Sequence, residues 1–186
     1  LLTEEKDLTG LPESIREAAA HRAKEKGKDG WLFNLSAPSY IPFMRYSALR
    51  PLREAMYREY MSIGNKGDEY DNKEIIRRIV NIRLEIARLM GHNTYAEYSL
   101  KRTMAKTPTN VYRLLEQLLK AYKPVAINEY NAVQGFAMGI EKENITVMPW
   151  DWSYYSEKLK DIRFNVNDEM TRPYFELNNV KNGVFG

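Results

Sequence analysis

The chain contains two histidines, His21 and His92, which are the first side chains to consider for metal chemistry. A catalytic zinc helix needs two histidines four residues apart, so that both ring nitrogens reach one metal, with a glutamate as base. His21 is followed by Arg-Ala-Lys-Glu and His92 by Asn-Thr-Tyr-Ala, so neither histidine has a partner at this spacing. We therefore predict that this chain contributes no catalytic residue and no metal ligand, and that it binds no zinc by itself.

Other reactive groups also lack the sequence context that their chemistry requires. The chain has no cysteine, which excludes disulfides, thiolate metal sites and a cysteine nucleophile. No serine lies in a nucleophile-elbow motif. The glycine-rich stretch Gly64-Asn65-Lys66-Gly67 lacks the lysine–hydroxyl ending of a phosphate loop and is typical of a turn.

The thirteen tyrosines allow two interpretations. Aromatic side chains more often supply core area than function, and a tyrosine in a helix can pack its ring while its hydroxyl reaches the surface. The functional alternative is a groove lined by tyrosine hydroxyls that bind a peptide backbone. Our candidates for such a substrate channel are Tyr40, Tyr154, Tyr155 and Tyr174.

Composition narrows the class of protein. The 186 residues are 44% hydrophobic and 28% charged, as in ordinary globular proteins. No run of apolar residues approaches the length of a membrane span, and residues 1–6 lack the basic and then apolar pattern expected of a signal peptide. The net charge of +3 is too small to favour nucleic-acid binding. The compartment stays open between cytoplasm and periplasm.

Periodicity and stop signals predict a mainly α fold, a helical array with at most a short β element near residues 31–36. Proline suits the first turn of a helix and glycine its C-terminal end. The aromatic-rich segment Trp31–Leu35 is the best strand candidate, and Pro38 and Pro42 are expected to break the chain into a turn or a helical turn. We expect a break or kink at Pro124. The predicted helices cover residues 12–26, 47–63, 71–91, 93–102, 107–140 and 151–164, and another begins near Asn178 or Asn179.

The third of these helices has the most regular pattern. Ile75, Ile79, Ile82, Ile86 and Leu89 recur at helical spacing and form one apolar stripe. Before them, Asp71 is predicted to cap the helix while Glu74 reaches back to it, as in a capping box. Glu74 and Arg78 are spaced for an ion pair, and Gly91 is predicted to end the helix in a left-handed conformation.

Seven short motifs, which occur in order along nearly the whole chain, carry a resemblance to a known family. They are Asp7-Leu-Thr-Gly-Leu-Pro-Glu-Ser, Gly30-Trp-Leu-Phe, Pro38-Ser-Tyr-Ile-Pro-Phe-Met, Asp71-Asn-Lys-Glu-Ile-Ile, Met104-Ala-Lys-Thr-Pro, Pro149-Trp-Asp-Trp-Ser-Tyr-Tyr and Pro173-Tyr-Phe-Glu-Leu-Asn. Together they resemble the middle of a peptidyl-dipeptidase (dipeptidyl carboxypeptidase) of the thimet oligopeptidase family of zinc metallopeptidases.

The resemblance implies a helical enzyme of two lobes around a channel that admits short peptides. It also implies a zinc ion, held by H-E-x-x-H and a later glutamate, that activates water, and products that are C-terminal dipeptides. In the family that motif follows the Gly-Val-Phe segment, here residues 183–185. We therefore expect residues 1–186 to be one helical segment of a larger catalytic domain, cut at both ends and inactive alone. Its role would be scaffold and channel wall.

Two alternatives belong to other classes of protein. A non-catalytic helical module could use its tyrosine-rich surface to bind peptides or proteins without cleaving them. A nucleic-acid-binding domain could use the region between Arg45 and Arg113, where basic residues outnumber acidic ones, but we interpret that region as a solvated helix face.

A missing C-terminal catalytic half would leave apolar surface uncovered near the end of the chain. We expect some members of one set to be unusually exposed and to support non-biological self-association. The set is Trp150, Trp152, Tyr155, Tyr174, Phe175, Val184 and Phe185.

Overall fold

A computed structural model describes residues 1–165 and 168–185, which form a mainly α-helical chain, as predicted. The α-helices, numbered in chain order, are α1 (Glu13–Glu25), α2 (Ala37–Tyr46), α3 (Arg50–Met61), α4 (Lys73–Leu89), α5 (Tyr95–Leu100), α6 (Pro108–Glu141), α7 (Pro149–Phe164), α8 (Asp168–Thr171) and α9 (Leu177–Phe185). Short 3-10 helices occupy Glu5–Leu8 and Arg172–Phe175. Within the described ranges, no helix has both the length and the apolar character that a membrane span needs.

The chain divides into two compact units. The first comprises Leu1–Tyr60 and Ala132–Gly186, and the second comprises Met61–Asn131. In the first unit α2 packs against α1 and α7, and in the second unit α4 packs against α5. The chain passes from the second unit back to the first within α6.

The first unit has two buried apolar clusters. One contains Leu8, Leu11 and Phe43, with Phe33 packed edge-on to Phe43 at 4.8 Å between ring centres. The other joins the C-terminal part of α6 to α7. It contains Val133, Ala137, Ile145, Val147, Tyr154 and Tyr155.

A glutamine side chain holds the extended segment between α6 and α7 in place. The amide of Gln134 donates to the Ile145 carbonyl at 2.5 Å and accepts from the Val147 N–H at 2.9 Å. The side chain therefore satisfies backbone hydrogen-bonding groups of the segment as a neighbouring strand would, and it holds the residues that lead into α7.

The prediction of a strand at Trp31–Leu35 was wrong. The segment forms one isolated antiparallel bridge, in which Trp31 and Leu2 exchange both backbone hydrogen bonds at 2.9 Å. Beyond it, the Leu32 N–H donates to the Ala19 carbonyl of α1, and the Asn34 N–H donates to the Ser39 hydroxyl. Because helical groups take these donors, the described residues offer no ladder that could extend the bridge.

The predictions for prolines also need correction. Pro38 and Pro42 lie inside α2 rather than in a turn, and the predicted helix 47–63 begins only at Arg50. Pro38 occupies the first turn, where a missing N–H is harmless, so only Pro42 costs the helix a backbone hydrogen bond. Likewise, α6 continues through Pro124 without a break.

The start of α4 differs from the prediction. Asn72, rather than Asp71, is the N-terminal cap residue, and its side chain makes no cap bond. Glu74 pairs with Arg77 rather than Arg78. The capping box predicted for this helix is therefore not formed.

The end of α4 agrees with the prediction. Gly91 has the left-handed conformation, with φ of 77°. The N–H groups of Gly91 and His92 donate to the carbonyls of Arg88 and Ala87, which is the Schellman pattern.

A capping box does occur, but at α5 instead. The Thr94 hydroxyl accepts from the Glu97 N–H at 3.2 Å, and the Glu97 carboxylate accepts from the Thr94 N–H at 3.3 Å. At α9 the cap is Glu176, whose carboxylate accepts from the N–H groups of Asn178 and Asn179, the two residues predicted to cap that helix.

Candidate functional site

A buried ion-pair network joins α3 to α7. Asp151, in the first turn of α7, is fully buried, and its carboxylate accepts from the Arg53 guanidinium at 2.8 Å. The Arg50 guanidinium contacts the other oxygen at 2.8 Å. That oxygen also accepts from the Met148 N–H at 3.1 Å, so it caps the start of α7. Buried charges are tolerated only when they are paired and hydrogen-bonded in this way.

The two arginines differ in their surroundings. Arg53 is 1% exposed and also donates to the carbonyls of Ser47 and Ala48, between α2 and α3. Arg50 is 40% exposed and also donates to the Thr146 carbonyl. The hydrogen bond to Asp151 raises the pKa of Arg50 above its usual range. Since Asp151 is held by two guanidinium groups of α3, it fixes the start of α7 against α3.

Two of the predicted channel tyrosines pack on this network. The Arg53 guanidinium lies over the Tyr154 ring, 4.1 Å from its centre, and the Lys158 ammonium lies 4.9 Å from the same ring. Tyr155 is 1% exposed, and its hydroxyl donates to the Glu141 carboxylate at 2.8 Å. Burial, together with this hydrogen bond, raises the pKa of Tyr155 well above that of a free tyrosine.

The other two candidates lie elsewhere in the first unit. Tyr40, on α2, is half-buried and stacks on Tyr60 with 4.1 Å between ring centres. Burial raises the pKa of Tyr40. Tyr174 is 77% exposed. The structure therefore brings Tyr154 and Tyr155 together, with ring centres 5.1 Å apart, whereas Tyr40 has a different aromatic neighbour.

A cleft of about 490 Å³ opens beside Tyr154 in the first unit. Its charged lining has both signs, from Arg45, Lys158, Glu157 and Asp161. One wall is the backbone at Gly10, where a Cβ atom would collide with the Tyr46 carbonyl oxygen, so only glycine fits. A cleft with charges of both signs beside a tyrosine suits a peptide, which presents charged ends and backbone polar groups.

Sequence reasoning found Tyr154 but missed the charged residues of this cleft. Lys158 and Asp161 lie one and two turns after Tyr154 on α7, so helical spacing was a usable signal for them. Arg45 comes from α2, and no local pattern connects it to α7.

Neither histidine has the surroundings of a metal site. His21 is exposed on α1, and its Nδ1 lies 3.7 Å from a carboxylate oxygen of Glu25. The His92 ring faces the Tyr98 ring at 5.8 Å between centres. Among the side chains that the structure describes, no three from histidine, aspartate or glutamate converge to hold a metal ion. The described residues therefore do not fit a zinc site.

Comparison with known proteins identifies the class to which this scaffold belongs. The sequence pattern of Peptidase family M3 matches residues 43–186. The chain belongs to this family of peptidases.

The similar proteins include oligopeptidases A and a dipeptidyl carboxypeptidase. The chain is 41% identical over 191 residues to oligopeptidase A of Haemophilus influenzae and 38% identical over 192 residues to oligopeptidase A of Escherichia coli. Each alignment covers 100% of this chain and 28% of the relative. The dipeptidyl carboxypeptidase of E. coli is 32% identical over 180 residues, which cover 96% of this chain and 26% of the relative. The chain thus spans about a quarter of the length of these relatives.

The family-level resemblance is confirmed, and its finer part, the peptidyl-dipeptidase type, stays a prediction. The motifs suggested a peptidyl-dipeptidase, but identity to the oligopeptidases A exceeds identity to the dipeptidyl carboxypeptidase.

Proposed function

We propose that residues 1–186 form part of the scaffold and channel wall of a zinc-dependent peptidase that hydrolyses short peptides. The observation that carries this proposal is the alignment of the whole chain with oligopeptidases at up to 41% identity. Zinc would activate water for attack on the peptide carbonyl. Because the described side chains do not fit a zinc site, we assign the zinc ligands to another part of the protein.

We assign contact with the peptide to the predicted tyrosines, and we rank them by their contacts and exposure in the structure. The Tyr155 hydroxyl already donates to the Glu141 carboxylate, and the Tyr40 ring is already stacked on the Tyr60 ring. Tyr154 borders the cleft of the first unit, and Tyr174 is open to solvent. We therefore place Tyr154 and Tyr174 ahead of Tyr40 and Tyr155 as residues of the channel wall.

Exposed apolar side chains support the assignment to a larger catalytic domain. On α4 the apolar stripe is largely open to solvent, and Leu89 is 86% exposed. Near the chain's end Phe175, Val184 and Phe185 are also exposed, as is Trp152 in part, whereas Trp150 and Tyr155 are buried in the first unit. Apolar patches of this kind generally mark interaction surfaces. We assign the partner to the C-terminal catalytic half and expect the isolated chain to self-associate.

The test compares the isolated chain with the full-length gene product. Both are incubated with zinc and a short internally quenched peptide, and cleavage and bound metal are measured. We expect the full-length protein to cleave the peptide, EDTA to abolish cleavage, and the isolated chain to show neither turnover nor stoichiometric zinc. Binding of the peptide by the full-length protein without cleavage would instead establish the non-catalytic peptide-binding module.

The position of cleavage is a narrower proposal. Similarity to a dipeptidyl carboxypeptidase supports release of C-terminal dipeptides, whereas the name of the oligopeptidases A, to which identity is higher, specifies no position of cleavage. Mass spectrometry of the products decides the point. Successive loss of dipeptides from the C-terminus supports the first, and internal fragments of several lengths contradict it.

A further inference from the structure

The second unit contains a cleft that is separate from the one beside Tyr154. Its volume is about 470 Å³, and residues between Met90 and Arg102 line it. The side chains that give it chemical character are His92, Lys101 and Arg102, which are basic, and Tyr95 and Tyr98, which are aromatic.

The backbone around this cleft is well fixed. The Schellman bonds of Gly91 and His92 end α4 on one side. The capping box of Thr94 and Glu97 starts α5 on the other side. The short loop between two capped helices fixes one side of the cleft, because few of its backbone groups are left to rearrange. Lys101 and Arg102 lie in the turn after α5, which the Thr103 N–H closes by donating to the Leu100 carbonyl at 2.9 Å.

The electrostatic balance of the cleft favours an anion. No acidic residue lines it. The nearest acid along the chain, Glu97, directs its carboxylate at the N–H groups of Asn93 and Thr94. Within the described residues, Lys101 and Arg102 make no ion pair or side-chain hydrogen bond. Two cationic side chains without a partner beside an acid-free cleft are available to an external oxyanion.

The aromatic walls favour an organic ligand over a bare ion. The rings of Tyr95 and Tyr98 are 6.0 Å apart at their centres, and the Arg83 guanidinium lies 5.3 Å from the centre of the Tyr95 ring. Rings of this kind contact apolar or planar groups, while the basic residues fix a charged end. The volume is also in the range of sites for small organic ligands, about 300–1,000 Å³.

We propose that this cleft binds a carboxylate of a short acidic peptide, through Lys101 and Arg102, with Tyr95 and Tyr98 contacting the adjoining residues. The choice of a peptide rests on the proposed function. It adds a substrate class, since peptides that carry acidic residues would be retained by the protein and neutral ones would not.

The test measures binding by the full chain in the presence of EDTA, so that no turnover interferes. The probe is a fluorescent short peptide with several glutamates, and its counterpart carries glutamines and an amidated C-terminus. We expect Lys101→Gln/Arg102→Gln to weaken binding of the acidic probe about tenfold or more, because two charge-assisted hydrogen bonds are lost. A matched control, Lys120→Gln/Lys123→Gln, removes the same charge from exposed positions of α6 in the same unit, and we expect less than about a twofold change because those positions contribute only screened attraction.

Three results would overturn the proposal. Equal weakening by both double variants would mean general charge attraction, and equal affinity for the neutral probe would mean that the carboxylate is not recognised. Displacement of the probe by inorganic phosphate at the probe's own concentration would mean a site for any oxyanion. Failure of the proposed function would look different, because the full-length protein would then not cleave peptides even though selective binding at this cleft persisted.

Discussion

The Arg53 guanidinium and the Asp151 carboxylate meet at 2.8 Å, although they are separated by 98 positions in the sequence and both side chains are almost completely buried. The pair connects the first turn of α3 to the first turn of α7. Arg53 also donates to the carbonyl of Ser47, the residue that caps α2, so one side chain connects three helices. The same guanidinium packs on Tyr154, which ties the wall of the cleft to this network.

The first prediction uses the two arginines of this network as matched controls. Replacing Arg53 with Gln leaves the buried Asp151 carboxylate with one partner fewer. We expect the free energy of unfolding to fall by about 3 kcal/mol. Arg50→Gln changes the exposed partner of the same carboxylate, so we expect a loss of about 1 kcal/mol or less. Denaturant unfolding of both variants measures the difference. Equal losses in the free energy of unfolding would show that burial of the arginine does not determine how much its ion pair with Asp151 stabilises the fold.

The second prediction concerns the hydrogen bond between Tyr155 and Glu141. Tyr155→Phe removes the hydroxyl and keeps the buried ring, and we expect a loss of about 1 kcal/mol. Glu141→Gln retains an acceptor, whereas Glu141→Ala removes it. A double-mutant cycle with Tyr155→Phe and Glu141→Ala isolates the pair. Additive effects of the two substitutions would mean that the hydroxyl and the carboxylate do not interact.

The third prediction tests the end of α4. Gly91→Ala puts a side chain on a residue with φ of 77°, and we expect a loss of about 1 kcal/mol, since the left-handed conformation disfavours a Cβ atom. Gly139→Ala is the opposite control. Gly139 lies inside α6, and a methyl group added there would meet only open space, so alanine is expected to stabilise by up to about 1 kcal/mol. Thermal unfolding of both variants checks the signs, and a neutral or stabilising Gly91→Ala would contradict the assignment.

Local patterns predicted the helices well, and for a physical reason. The isoleucine stripe of α4 and the glycine that ends it depend on neighbours within a few residues, so the sequence displays them directly. The strand prediction failed because the partners of the segment lie outside it, whereas the errors at Pro38, Pro42 and the start of α4 arose within local patterns. The aromatic segment after Gly30 would suit a strand. However, its N–H groups donate to the Ala19 carbonyl of α1 and to the Ser39 hydroxyl.

The residues of the candidate site also divide into those that local sequence indicates and those that only the structure reveals. Tyr154 was selected as a tyrosine that could line a peptide groove, yet nothing local indicated that Arg45 would share its cleft or that Arg53 would lie against its ring. A weaker signal did exist for Asp151. An acid in the third position of a helix that begins with Pro149 often accepts from the N–H before the helix, and it does so here. Its two arginine partners could be found only from the structure.

The last prediction concerns acid and the loop before α4. Asp71 does not cap α4, but its carboxylate accepts from the Lys73 N–H at 2.9 Å and the Gly67 N–H at 2.6 Å, and it pairs with the Lys73 ammonium at 2.7 Å. The hydrogen bonds from Lys73 and Gly67 lower the pKa of Asp71 from 3.8 to about 2. A carboxyl whose pKa is lower in the folded state stabilises the fold above its unfolded pKa and loses that effect as the pH falls. The contribution is therefore complete above a pH of about 4 and disappears as the pH falls through about 2.

Unfolding of the parent chain and of Asp71→Asn across this pH range tests the prediction. We expect the parent to be more stable by a constant amount above a pH of about 4, and we expect the difference to shrink as acid protonates Asp71. Glu74→Gln is the control, because that carboxylate is exposed and pairs with Arg77 alone. Carbon NMR titration gives the value directly. A titration midpoint of Asp71 at or above 3.8 would contradict the loop geometry, since a carboxylate that accepts two N–H groups and binds an ammonium holds its proton less tightly than a free one.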